Sequence, residues 1–398
     1  MLKKFITTLA GGLLLFSANA QIRIYNTRHS QDTLKTAPGK DSSLLRKSRF
    51  LPIPVLGYAP EKGLEIGAAV LYSFYLDKEN PVAGTRNSTI IFIPSLTTEH
   101  QYKADIKADF WSPGNLWHYK GQLRYHDFPI NFYGIGSDTR EADKTLLDNK
   151  RFKFLAEVER RLLPHFYAGL SLQYQYDEYS AAEDKGIYPQ MNLVDKNGGH
   201  STFLGVSAIY DNRNNQNYTT RGSFLRANAA YALDFLSTRP FWKLEGKASH
   251  FFAISKKSTV GINGQLNSVQ GDALLFYMLS ELGSDYIMRG YYPGRYRDQN
   301  FAGIQAEYRF LIDPKLGLQL WSFNLQPKFA LAVFGGTGAV FTNHNIALDK
   351  LKPNYGLGLR YFYDENSRLS IRIDYGWGEK APGEKRQQGF YLSIGEAF

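Results

Sequence analysis

From Leu51 onward, apolar and polar residues alternate with a period of two, in stretches of about ten residues. That periodicity predicts strands with one apolar face. Tyr102, Ala104, Ile106, Ala108 and Phe110 interleave with Lys103, Asp105, Lys107 and Asp109. Ala168, Leu170, Leu172, Tyr174 and Tyr176 alternate with Gly169, Ser171, Gln173, Gln175 and Asp177. The rows Ala302, Ile304, Ala306, Tyr308 and Leu369, Ile371, Ile373, Tyr375 repeat the pattern. Read along the chain, it predicts strands near 51–58, 63–77, 86–97, 100–112, 116–127, 150–163, 165–178, 201–212, 222–235, 241–255, 257–269, 301–313, 322–342, 354–363, 367–377 and 388–398.

A soluble sandwich alternates in the same way, so the polar face alone does not choose between architectures. Three other features do. The strands are long, no helix intervenes, and Tyr, Phe or Trp recur near strand ends as an interfacial aromatic girdle requires. The predicted strands number sixteen, an even count that suits a closed single-chain barrel. The expected fold is therefore all-β, a sixteen-stranded antiparallel transmembrane β-barrel. Long connections at 128–149, 179–200, 271–300, 343–353 and 378–387 each follow an odd-numbered strand, while those after even strands are mostly short. Outer-membrane barrels keep short turns on the periplasmic side, so both termini are expected in the periplasm.

Composition narrows the class. The 398 residues hold no cysteine, which removes disulfides, thiolate metal sites and cysteine nucleophiles. With 27 Tyr, 27 Phe and 5 Trp the chain is too aromatic to be disordered. A mean hydropathy of −0.36 argues against a helical membrane protein but not against a barrel, whose lipid-facing residues are only every second one. Residues 1–20 read as a secretory signal, with Lys3 and Lys4, an apolar stretch Phe5–Phe16 and the small-residue site Ala18-Asn19-Ala20. Residues 21–49 form a short basic periplasmic lead-in, with seven Lys/Arg and two Asp, and the barrel occupies 50–398. The formal charge of +10 is thus largely a property of the N-terminal segments. It suits an acidic lipid surface and makes no case for nucleic acid.

Pro52 and Pro54 in the first predicted strand cannot donate ladder hydrogen bonds and fit only at an edge. The closing partner would be the last strand, with Phe390, Leu392, Ile394, Glu396 and Phe398 on one face. A weak first–last seam is expected, involving Pro52, Pro54, Phe390 and Phe398. The terminal aromatic makes this last strand similar to the C-terminal signal of outer-membrane barrels, an edge that an assembly machine could pair with.

The 271–300 connection carries Gly283 and then Tyr286-Ile287-Met288-Arg289-Gly290-Tyr291-Tyr292-Pro293-Gly294-Arg295-Tyr296-Arg297-Asp298. This resembles the Arg-Gly-aromatic tip of extracellular loop six in the BamA/TamA superfamily, the surface-antigen type of outer-membrane assembly barrel. Tyr210-Asp211-Asn212-Arg213 followed by Gly222 is similar to that family's mid-barrel turn. Tyr355-Gly356-Leu357-Gly358-Leu359-Arg360 leading to Arg372-Ile373-Asp374-Tyr375-Gly376 resembles its penultimate strand pair. The resemblance implies that 271–300 folds into the lumen and that Arg289 pairs with an acid on the inner wall. Asp374 and Glu307 lie on the polar faces of their strands, and either could be the counter-charge. Gly290 would permit the reversal and Tyr291 would pack on the wall.

Two departures stand out. Where the family presents aromatic-x-Asp-x-Gly on strand thirteen, this chain reads Phe334-Gly335-Gly336-Thr337-Gly338. The space before the barrel also holds none of the family's periplasmic POTRA modules, so the expectation is a POTRA-less member. No metal-ligand spacing among the eight His, no nucleophile elbow and no phosphate or dinucleotide loop occurs. The chain is therefore expected to be no enzyme, with no catalytic residue, metal or cofactor. Two functions follow. One is assistance to insertion or translocation of outer-membrane protein or lipid, with outer-membrane lipid, client proteins and accessory subunits as partners. The alternative is a passive pore or structural surface barrel on the same scaffold.

Overall fold

A computed structural model describes residues 22–26 and 48–398, other than 60–62, 79–81, 83, 182–183, 315, 321–322, 326–327, 346–347 and 365–366. The expected signal segment lies outside these residues, as does the lead-in apart from 22–26 and 48–49. The long strands are β1 (Arg49–Ala59), β2 (Gly63–Phe74), β3 (Ser88–Thr97), β4 (Tyr102–Trp111), β5 (Trp117–Asp127), β6 (Thr145–Leu163), β7 (Phe166–Ala181) and β8 (Gly198–Asp211). They continue as β9 (Gly222–Ala232), β10 (Trp242–Ala253), β11 (Ser258–Gln270), β12 (Asn300–Ile312), β13 (Phe329–Phe341), β14 (Lys352–Asp364), β15 (Leu369–Trp377) and β16 (Gln388–Ile394). Each pairs antiparallel with its neighbour in sequence, in one continuous ladder from β1 to β16. Each predicted stretch overlaps one of these strands.

Side chains from the two ends of the ladder pack together. Leu51 of β1 and Leu71 of β2 share a buried cluster with Leu369 of β15, against which Ile371 and Ile394 also pack. The Tyr363 hydroxyl of β14 donates to the Phe50 carbonyl at 3.1 Å. Among the described residues no backbone ladder joins β1 to β16. Pro52 and Pro54 sit opposite Val70 and Ala68 in an unbroken β1–β2 register. A proline fits such a register only with its nitrogen turned away from the partner, so the missing donors fall on the edge that faces β16.

The side chains are sorted inside out. Leu170 and Leu172 on β7, Leu204 and Val206 on β8, and Ile304 on β12 are exposed, whereas Ser171, Gln175 and Asp177 on β7 and Gln305, Glu307 and Arg309 on β12 are buried. Five arginines (289, 295, 309, 360 and 372) are fully buried. A polar interior wrapped in exposed aliphatics is unfavourable in water and favourable in lipid, where the outer face replaces hydrocarbon.

Four details differ from the sequence expectation. The predicted strand 322–342 is divided: β13 starts at Phe329, and Phe323–Leu325 instead pairs with Leu316–Leu320 in a hairpin between β12 and β13. Part of the lead-in, Ile22–Asn26, pairs antiparallel with Leu316–Leu320 as a third strand, so this connection after an even strand is not short. The loop before β6 holds Ile130–Phe132, paired with Thr145–Leu147, which starts β6 earlier than predicted. Finally, β16 ends at Ile394, because Gly395 takes φ +80° and turns the chain inward.

Leu172 lies at mid-strand on the outer face, opposite Ala156 and Leu204. Leu172→Arg should destabilise the protein folded in phospholipid vesicles by about 2–4 kcal/mol, the usual cost of a midplane guanidinium on a barrel's lipid face. Denaturant titration of the vesicle-bound protein measures it, and an unchanged midpoint would refute the lipid-facing assignment.

Candidate functional site

Residues 271–299 leave β11 and enter the space enclosed by the ladder. The turn Phe276–Met278 is buried among Phe132, Tyr179, Tyr188 and Phe203, while Ser280–Leu282 and Tyr296–Asp298 pair as the stem of the loop. Leu282, Ile287, Met288, Tyr291 and Tyr296 then pack against Phe301 of β12 and Val340 of β13. This apolar shoulder sets the depth at which the tip sits.

At the tip, Arg289 is fully buried between both candidate counter-charges. Its Nη2 donates to Glu307 at 2.5 Å and its Nη1 donates to Asp374. The ring of Phe334, at the start of the glycine-rich run on β13, lies 3.5 Å beneath the guanidinium. The missing strand-thirteen acid is thus supplied from β12 and β15, with an aromatic face below. Each carboxylate serves several guanidiniums. Glu307 also accepts from Arg309 Nε at 2.8 Å and Arg360 Nη2 at 2.9 Å. Asp374 also accepts from Arg360 Nη1 at 2.5 Å and Arg372 Nη1 at 2.7 Å. A planar guanidinium can bridge two acids, so each arginine of this buried cluster faces at least one carboxylate. Gly358 on β14 is required by the crowding, since a Cβ there would stand 2.0 Å from Asp374 Oδ1.

The tip backbone is fixed as firmly. Gly290 has φ +116°, and a Cβ on it would lie 2.6 Å from the Trp377 carbonyl carbon on β15. Its N–H donates to the Tyr391 hydroxyl of β16 at 2.8 Å, and Asn354 Nδ2 of β14 donates to the Arg289 carbonyl at 3.0 Å. The Tyr291 hydroxyl donates to the Pro353 carbonyl at 2.6 Å and accepts from the Glu379 N–H at 2.8 Å. Burial raises the Tyr291 phenol above its ordinary range, so it remains a donor. Nothing here resembles a nucleophile with a base. Among the described residues no group of His, Asp or Glu could hold a metal ion. The chemistry on offer is a brace that clamps one loop to five strands, β12 to β16.

A sixth-loop tip held by acids on β12 and β15 of a single antiparallel ladder narrows the ancestry. Residues 84–398 match the Omp85 superfamily domain. This chain belongs to the Omp85 superfamily. The family is one of outer-membrane β-barrels. Among solved structures it is similar to BamA from Haemophilus ducreyi lacking POTRA domains 1–3, at 11% identity over 95% of this chain and 75% of that one, with a TM-score of 0.55. CdiB from Escherichia coli aligns at 10% identity over 95% and 67% of the two chains, TM-score 0.53. CdiB from Acinetobacter baumannii aligns at 14% over 94% and 65%, TM-score 0.50. At such identities these likenesses show a shared fold. No curated protein matches the sequence.

This Omp85 barrel also ties its last residues into the brace, which the sequence reading missed. Glu396 accepts from Arg360 Nε at 3.0 Å and from the Ser370 hydroxyl at 2.8 Å. Phe398 is buried against Phe251, and its carbonyl oxygen accepts from Arg309 Nη2 at 3.2 Å. Phe398 therefore does not lie on the outer face beside Phe390, nor at the seam where the sequence put it. The signal was present: a carboxylate at 396 cannot continue a lipid-facing row. Phe390 does face outward, and Pro52 and Pro54 remain on the first strand's edge. Arg309, Arg360 and Arg372 were also missed as members of the cluster, although Arg309 lies two residues from Glu307 on β12 and Arg372 two residues from Asp374 on β15.

Removing one member of a buried ion cluster typically costs about 3–5 kcal/mol, because the others are left uncompensated. Arg289→Ala should therefore lower stability by roughly that amount and open a new protease site near Tyr291 in the folded, heat-modifiable protein. Arg289→Lys should rescue little, since a single ammonium cannot bridge Glu307 and Asp374. An uncleaved Arg289→Ala loop would refute the brace.

Proposed function

We propose that this Omp85 barrel is a closed sixteen-stranded outer-membrane barrel with both ends in the periplasm. In this reading it assists insertion or translocation of outer-membrane protein or lipid, acting by opening its β1–β16 seam and not by enzymatic catalysis. The observation that carries the proposal is the contrast along the ladder. Fifteen successive strand pairs are hydrogen-bonded in register, whereas the β1 and β16 ends are bridged among the described residues by side chains alone. Two prolines remove donors from that edge. A sheet edge with free carbonyls and few donors is the least costly line along which a barrel can part, and once parted it offers a template for an incoming strand.

Arg289 has a second part in this reading. A wall that opens at one line must not collapse elsewhere, and the brace fixes β12, β14, β15 and the last residues to one loop on one side of the seam. Among the described residues β1 and β2 carry no member of that cluster, so they are the strands free to swing. The partners expected are outer-membrane lipid, client outer-membrane proteins and periplasmic accessory subunits. The similarity in fold to BamA and CdiB supports a role of this kind, and the orientation rests on the longer connections after odd strands.

Depleting the protein should remove a defined subset of outer-membrane β-barrel proteins or lipid from the envelope. Cysteines placed at Leu51 and Leu369 and joined by a short thiol crosslinker should reproduce that loss until the link is cleaved. The chain has no native cysteine to interfere. An unchanged set of outer-membrane components after depletion would leave the passive barrel as the correct reading.

A further inference from the structure

The connection between β8 and β9, residues 212–221, contributes no charge to the brace and touches it only where the Tyr218 ring faces Arg309. It holds five side-chain amides, on Asn212, Asn214, Asn215, Gln216 and Asn217. Its base is anchored by charge: Asp211 accepts from Arg213 Nε and Nη2 at 2.8 Å each and from Arg86 Nη1 at 2.7 Å. Its shape is set internally. The Asn214 side-chain oxygen accepts from the backbone N–H of Thr220 and Arg221, and that of Asn215 accepts from the N–H of Asn217 and Tyr218. Asx contacts of this kind hold a turn in one conformation without help from a sheet.

The tip then leaves its own strands. Gln216 Nε2 donates to the carbonyl and side-chain oxygens of Asn87, just before β3, at 3.1 and 2.9 Å. Asn217 Nδ2 donates to the Ser367 carbonyl, just before β15, at 2.8 Å. Tyr218 is buried with its ring edge-on to Phe362 of β14, centroids 4.8 Å apart, and the Arg309 guanidinium lies 5.6 Å away. In ladder order β3 stands five strands from β8, and β15 stands six from β9. A turn bonded to both has to cross the mouth of the barrel.

We propose that residues 212–221 form a stopper that closes this mouth from within and bars solute and polypeptide from the barrel's axis until the tip withdraws. The contacts divide by strength. The base is held by charge-assisted bonds, one of them from Arg86 beside Asn87, whereas the tip itself is held by neutral amide bonds that water can replace. Withdrawal therefore frees the tip and leaves the hinge intact. Loop 271–299 fills the lumen from the other end, so a client handled by this protein crosses at the wall and not through the middle. That last step, and the compartment the mouth faces, rest on the function proposed above. The closure itself does not.

Gln173 on β7 lines an interior cavity of about 550 Å³ together with Lys153 and Lys243. A cysteine there, in the otherwise cysteine-free chain, reports entry of a bulky hydrophilic maleimide to the detergent-solubilised, heat-modifiable barrel. Labelling of Gln173→Cys should be slow, and several-fold faster once Gln216→Ala, Asn217→Ala and Tyr218→Ala are added. If that combination does not fold, Gln216→Ala with Asn217→Ala alone keeps the Tyr218 ring packed and should still raise the rate. Fast labelling of the parent, or equal rates with and without the tip residues in a folded variant, would overturn the stopper. No client is present in this measurement, so failure of the assembly role would leave its outcome unaffected.

Discussion

Lipid offers no hydrogen bonds, and the structure follows from that constraint. Away from the β1 and β16 edges, each backbone group that faces hydrocarbon finds its partner in the next strand, so the strands run in sequence as one antiparallel ladder. The same constraint turns the side chains inside out. Leucines and isoleucines that would form a core in water are spread over the outside, and the polar residues between them are driven inward. An interior filled in this way cannot rest on apolar packing alone. It has to satisfy its charges among themselves, and the arginine–carboxylate cluster is where it does so.

That cluster is more than neutralisation. Arg289 comes from a loop, Glu307 and Arg309 from β12, Arg360 from β14, Asp374 and Arg372 from β15, and Glu396 from the turn after β16. Each carboxylate bridges groups from different elements, so none can shift without breaking a bond in a fully buried site. Buried ion pairs are weak evidence for net stability, since apolar replacements of equal volume often do as well. What they impose here is position. A guanidinium that must meet two acids at once admits far fewer placements of a loop than an apolar contact would.

Period-two alternation located the strands because the lipid-facing row has to be apolar at almost every step, which leaves a strong local signal. Arg289, Glu307 and Asp374 were legible for a related reason, each being a charge on a face or motif where a charge needs a purpose. The failures came where the signal is not local. The carboxylate at 396 speaks against a lipid-facing row, but nothing near Phe398 says that Gly395 will adopt a positive φ and send the chain inward; that follows from Arg309 and Arg360, distant in sequence, needing Glu396. The choice between Glu307 and Asp374 could not be made from the strand pattern because both answers hold, and only the geometry of the guanidinium fork allows it. The split of 322–342 was hidden by residues that alternate equally well as one strand or as two. The reach of Gln216 and Asn217 across the mouth had no counterpart in any periodicity, since a turn's hydrogen bonds depend on which distant strands stand opposite.

The distribution of rigidity is itself an argument. Fully bonded ladders and a multivalent salt cluster make one quarter of the wall, from β12 through β15, difficult to deform. Across the seam, β1 and β2 contribute prolines, small residues and an apolar cluster, with no charge tied into the brace. Side-chain packing is non-directional and tolerates sliding, whereas a ladder bond or a two-acid guanidinium bridge breaks when its geometry is lost. In the closed barrel proposed here, a line sealed among the described residues by side chains alone therefore yields first under any load that strains the whole ring. The positions of Pro52 and Pro54 place that line at the junction of the chain's two ends, where opening moves the fewest covalently linked elements.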